Sequence, residues 1–161
     1  MNCCRIQSVM VAPDREIVAR LLPGTDLIRG IKIICSKYNI ESGTIVSLIG
    51  SLKYATMVHI VTAENARLKV AYSSPNVIDG PLELLSAQGF IGNNVEKKQC
   101  VHLHGCIAGT NMRVLGGHFI EEGNPVLVTA ELVIRGILGV DIVKKHNDET
   151  GFEVFEFVGT S

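Results

Sequence analysis

Charge is scarce in this chain, and little of it is concentrated. Charged residues make up 19% of its 161 positions, below the share of about a quarter usual for soluble domains. Fifteen basic and 16 acidic residues leave a formal net charge of −1, which gives no general attraction to nucleic acid or an anionic membrane. Long apolar runs are missing too, since no segment approaches the ~18–20 residues needed to span a bilayer. No Cys-x-x-Cys pair occurs, and the five cysteines are an odd number. Cys3 and Cys4 are adjacent and poorly placed to bridge each other, while Cys35, Cys100 and Cys106 fall in apolar segments. Free thiols in a reducing cytoplasm fit this usage better than a disulfide framework. The N-terminus has no basic stretch followed by a long apolar one, so no secretory signal is expected.

What the chain does have is apolar surface. Hydrophobic residues reach 47% and the mean hydropathy is +0.30, high for a soluble monomer of this size, so a subunit interface is expected. No long linker, repeat or low-complexity tract divides the chain. It reads as an N-terminal extension, residues 1–14, followed by one domain over residues 15–161. Arg15 to Leu22 is an expected strand, ended by Pro23-Gly24. Thr25 or Asp26 can cap a helix in which Leu27, Ile28, Ile31, Ile34, Cys35 and Tyr38 recur at helical spacing, with Asn39 as its stop. Apolar, β-branched runs follow at Gly43–Leu52, Tyr54–Val61, Arg67–Tyr72 and Leu82–Ile91, then a histidine-bearing hairpin, Val126–Ile137 and Phe152–Phe157. Connections rich in Gly, Asn, Pro or Ser separate them, as at Ser73–Asn76 and Gly92–Asn94. The expected fold class is α+β: mainly antiparallel β-sheet with one principal helix in a single compact domain.

The most informative segment is residues 100–107, Cys-Val-His-Leu-His-Gly-Cys-Ile. As a strand it puts Val101, Leu103 and Ile107 on one face, and Cys100, His102, His104 and Cys106 on the other. Gly109-Thr110-Asn111 is turn chemistry, and Val114 to Ile120 can return. A hairpin turning about Asn111 sets His104 opposite His118 and Cys106 opposite Gly116, with Cβ atoms of such pairs roughly 4.5–5.5 Å apart and His102 in diagonal reach. A bulge at Gly116-Gly117 would shift that register by one. Three histidines around one ion leave a coordination position for water or substrate. Zinc is the preferred ion, although imidazole also suits copper, nickel and iron. Cys106 is a candidate fourth ligand. The alternative is that these histidines are hydrogen-bonded residues on a half-buried sheet face.

Several segments, in order, resemble the plant-and-prokaryote-conserved (PPC) domain. Leu21–Leu27 looks like that family's strand-to-helix entry, with the acidic position altered at Thr25-Asp26. Val46–Leu52 is similar to its Gly-Ser-Leu segment, and Gly80–Ser86 to its Gly-Pro-Phe-Glu-Ile-Leu-Ser strand. His102-Leu103-His104 and Gly116-Gly117-His118 match the histidine pattern of prokaryotic members, and Asn124–Glu131 resembles the strand that follows. Gly109-Thr110-Asn111-Met112 departs from the family's acidic, Gly-containing turn. The resemblance implies a homotrimeric α+β fold with a metal held by the three histidines. In plants the domain follows AT-hooks in nuclear DNA-binding proteins, whereas this chain has no Arg-Gly-Arg-Pro core.

Two classes of function follow. The first is a metal-dependent enzyme, a lyase or hydrolase acting on an unidentified small molecule, since a divalent ion with an open position polarises a carbonyl or activates water. A proton carrier and an anion anchor are then needed. Glu131 is the candidate carboxylate and Arg20 the candidate anchor, each with the alternative of being an ordinary sheet residue. The overall resemblance extends to acetolactate decarboxylases, which hold zinc with three histidines, an analogy of fold that does not fix a reaction. The second is a DNA-binding or regulatory module, disfavoured because Lys97-Lys98 and Lys144-Lys145-His146 are the only basic clusters and both lie near acidic residues. A third reading is a structural trimer in which the metal only staples the hairpin.

Overall fold

A computed structural model describes residues 7–160. Its first strand, β1 (Ala12–Leu21), begins three residues before the boundary expected at residue 15. Gly24, at φ +84°, turns the chain into α1 (Leu27–Lys37). Of the two expected caps the helix uses Asp26, whose Oδ1 accepts from the amides of Ile28 and Arg29, each at 3.1 Å. This satisfies two of the amides that a helix start leaves without partners. Leu27, Ile28, Ile31 and Cys35 form the buried stripe. The helix stops where expected, with Asn39 in the left-handed region at φ +53°. Burial pushes the Cys35 thiol up to about 12, so this free cysteine is an inert packing residue. Cys3 and Cys4 lie outside the described residues.

The rest is sheet, confirming the α+β architecture with one helix among the described residues. Its strands are β2 (Gly43–Val58), β5 (Asn76–Asn94), β6 (Gln99–Ala108), β7 (Val114–Phe119), β8 (Val126–Leu138), β9 (Val140–Asn147) and β10 (Phe152–Gly159). A short hairpin of β3 (Ile60–Thr62) and β4 (Val70–Tyr72) stands apart. The main order is β1-β8-β2-β7-β6-β5-β9-β10, with β2 also paired to β5. The pairings β2–β5, β5–β6, β6–β7 and β7–β2 therefore form a closed circuit. Pairing is antiparallel except where Asn93 and Asn94 of β5 meet β9. Inside lies one apolar core to which the helix contributes Leu27 and Ile31, and the strands Ile45, Leu52, Leu103, Phe119 and Leu132.

The strands depart from the sequence reading in several places. Gly43–Leu52 and Tyr54–Val58, expected in two runs, join in the single strand β2, whose register shifts between Leu52 and Tyr54, while Ile60 and Val61 pass to β3 and the run expected from Arg67 is strand only from Val70. Lys53 occupies that irregularity and donates its amide to Pro125 at 2.9 Å. Strand β5 extends past both expected ends to take in Asn76 and Gly92–Asn94; at its far end Gly92 packs so closely on Ile142 that a Cβ would lie 2.2 Å from its carbonyl oxygen. Finally, β9 was not expected as a strand. Its Lys144-Lys145-His146 end reads as a solvated charge run, yet Val140 and Ile142 are buried. No helix among the described residues is long and apolar enough to cross a membrane.

Candidate metal centre

The histidine hairpin forms in the expected register. His104 pairs with His118, Gly105 with Gly117 and Cys106 with Gly116, without a shift from Leu103–Phe119 to Ala108–Val114. The bulge that Gly116-Gly117 would permit does not occur. Leu103, Ile107 and Phe119 turn inward and are buried, which commits the opposite face, and its imidazoles, to the outside of the core. The unusual turn is tight: Gly109 and Arg113 pair through an amide-to-carbonyl bond of 3.2 Å, and Met112 takes a φ of +61°. Behind the hairpin, β5 approaches closely. A Cβ on Gly89 would lie 1.8 Å from the carbonyl oxygen of His102, so glycine there sets how near β6 can sit.

Three imidazoles converge on this face. His102 Nε2 lies 3.0 Å from His104 Nε2, which lies 3.1 Å from His118 Nδ1. One potential ligand atom from each ring falls within 4.8 Å of the others. A neutral ring nitrogen either donates one proton or offers one in-plane lone pair. His104 Nε2 therefore cannot satisfy both neighbours at once, whichever tautomers are chosen. A cation among the three nitrogens removes the conflict, and ligands at about 2.0–2.1 Å from zinc match such spacings closely. The donor set fits a divalent metal ion. Cys106 shares the face but falls outside this cluster.

Two of the rings are also held in the form a metal needs. Burial first, then His104 and Lys144, lowers the pKa of His102. Burial, then His102, His104 and Lys144, lowers that of His118 to about 4. Both are neutral at physiological pH, with lone pairs available.

Beside the cluster opens a cavity of about 520 Å³, lined by His102 and His118 together with Tyr72, Lys144, Glu153 and Phe155, among others. The Tyr72 ring centroid stands 5.4 Å from that of His118, and Phe155 stands 6.1 Å from His102. Lys144 Nζ lies 3.3 Å from Glu153 Oε2. Sequence reasoning had placed Lys144 in a solvated run and had assigned Glu153 no role. The Phe-Glu-Val-Phe-Glu-Phe run of residues 152–157 is the available signal, but only the pairing of β9 with β10 turns it toward the histidines.

Arg20 and Glu131, the expected anchor and carboxylate, are cross-strand partners on β1 and β8. Thr129 Oγ1 donates to Glu131 Oε1 at 2.8 Å, and Glu131 lines a separate cavity of about 760 Å³ with Ile49, Leu85 and Val128. Neither residue lines the cavity beside the histidines. The structure thus brings the three expected ligands together and sets the two expected catalytic residues against each other on another strand pair.

Known proteins share this arrangement of the chain. Bifunctional protein GlmU of Synechococcus sp. (strain JA-3-3Ab) is 28% identical over 149 residues, which are 92% of this chain and 21% of that protein. The chain thus spans about a fifth of the length of the curated relative it matches. A structure described as a metal-containing protein from Archaeoglobus fulgidus superposes with a TM-score of 0.79 at 21% identity, covering 94% of this chain and 99% of that one. A plant- and prokaryote-conserved (PPC) protein of Pyrococcus horikoshii gives 0.78 at 24% identity, covering 96% and 100%. These likenesses establish the fold. Because residues 10–137 match its sequence pattern, the chain belongs to the Plants and Prokaryotes Conserved (PCC) domain family.

Proposed function

We propose that the protein binds one divalent metal ion, with zinc preferred, through His102, His104 and His118, and acts on a small molecule at that site. The observation that carries this reading is the convergence of three imidazole nitrogens that cannot satisfy one another. Three protein ligands leave a coordination position for an exchangeable group, and the bound ion would supply polarisation of an oxygen or activation of water. The description of the Archaeoglobus fulgidus protein as metal-containing supports the reading. We assign the chain to the cytoplasm, where its free thiols would persist.

The test is elemental analysis of protein purified without an affinity tag. Replacing any one of the three histidines by alanine is expected to lower metal content far more than replacing His59 or His146. Equal metal content in the wild type and the triple histidine variant would eliminate the site. If Cys106 is a fourth ligand, Cys106→Ala also releases metal, and a cobalt-substituted sample shows a thiolate band.

A further inference from the structure

We propose that the cavity beside the histidines receives a small carboxylate with an apolar body, and that Lys144 is its anion anchor. This deepens the metal reading above and rests on it. Charge decides the ligand's sign. Lys144 and Glu153 are the charged side chains that line the cavity, so a bound dication and Lys144 outweigh the single carboxylate and leave the pocket positive. A carboxylate is the ligand whose charge such a site compensates.

Lys144 is free to make the contact. Its ammonium has three donors, and its recorded ion pair is with Glu153 at 3.3 Å. The Glu153 side chain is 63% exposed, so its carboxylate can turn into water when an anion arrives. The rest of the wall suits an apolar body. Tyr72 packs edge-on against Phe152 at 5.5 Å, Phe155 flanks His102, and Val58 and Ile120 close the floor. A cavity of about 520 Å³ lies within the range of small-molecule sites. The anchor and most of the aromatic wall come from β9 and β10, beyond the family-matched residues 10–137. Ligand selection is therefore a property of this chain's own C-terminal hairpin.

The experiment is calorimetric titration of the zinc-loaded protein with 3-phenylpropionate, acetate and the neutral 3-phenylpropan-1-ol, with metal content measured in every sample. The wild type is expected to bind 3-phenylpropionate about tenfold or more tighter than either comparison compound, the scale of one charge-assisted hydrogen bond or a buried ring. Lys144→Gln is expected to lose about tenfold in affinity and Lys144→Arg to retain most of it. Glu153→Gln should shift binding the opposite way, to tighter, because it removes the competing carboxylate. The double variant Lys144→Gln/Glu153→Gln keeps the zinc but lacks the anchor, and should still bind weakly. Unchanged affinity in Lys144→Gln with its zinc retained would overturn the anchor alone. A wild type that takes up no zinc would overturn the metal reading, and this one with it.

Discussion

At His118 the protein holds an imidazole neutral far below its ordinary range, and that has a measurable cost. Its proton is gained only near pH 4, because burial and then His102, His104 and Lys144 oppose the charge. An unfolded imidazole titrates near 6.5. Between those values the unfolded chain binds more protons than the folded one, so stability falls as pH drops through this window and falls no further below it on this account. Thermal melts of the metal-free protein are expected to show Tm declining from about pH 6.5 to about pH 4. His118→Phe should flatten part of that decline, and an identical profile in the variant would contradict the assignment. Metal uptake should weaken over the same acid range, since protons and metal compete for the same lone pairs.

Among the elements, the segment between β7 and β8 carries more than its length suggests. Asn124 is fully buried. Its Oδ1 accepts from the Thr56 amide at 2.9 Å, while its Nδ2 donates to the carbonyls of Ile120 at 2.8 Å and Glu122 at 3.2 Å. Its own amide donates to Asp26 Oδ2 at 2.8 Å, tying the returning strand to the helix cap. Asn124→Ala keeps the backbone bond to Asp26 but takes the acceptor from the buried Thr56 amide and a donor from the Ile120 carbonyl, which is expected to cost about 2–4 kcal/mol in urea unfolding; a loss under about 1 kcal/mol would deny Asn124 that part. The sequence showed where the helix starts and stops, because Asp26 and Asn39 act through local backbone chemistry. It also showed the histidine register, because strict alternation over residues 100–107 admits one buried face. It did not show that β2 is continuous through Lys53, that β5 runs on into asparagines, or that β9 exists. Those depend on partners distant in sequence, such as Pro125 against Lys53 and Ile142 against Gly92. For the same reason Lys144 and Glu153 are invisible in the sequence as cavity residues, while the convergence of the three histidines, set by one hairpin, is legible directly.

Viewed as a whole, the molecule leaves apolar side chains on its outer strands. Val18 is 82% exposed and Val128 65%, and Val128 borders the same large cavity as Ile49 and Leu85. Such patches favour association. We expect a homo-oligomer in solution, with three as the number the family resemblance implies; light scattering that shows a stable monomer at micromolar concentration would exclude it. The basic clusters offer no comparable surface to DNA, because Lys98, Lys144 and Lys145 are paired with Glu96, Glu153 and Glu156. No tight, sequence-specific DNA binding is expected at physiological salt, and a nanomolar band shift that weakens steeply with added salt would refute this. Two stretches of sequence divide the cavity's chemistry: the β6–β7 hairpin brings His102 and His118, and the β9–β10 hairpin brings Lys144, Glu153 and Phe155, with all of β8 between them. Sequence drift in the second stretch can reshape what fits without disturbing what coordinates. Under the proposed reading, chains built on this plan can diverge in ligand while keeping a common metal, which makes the histidines a poor guide to what any one of them acts on.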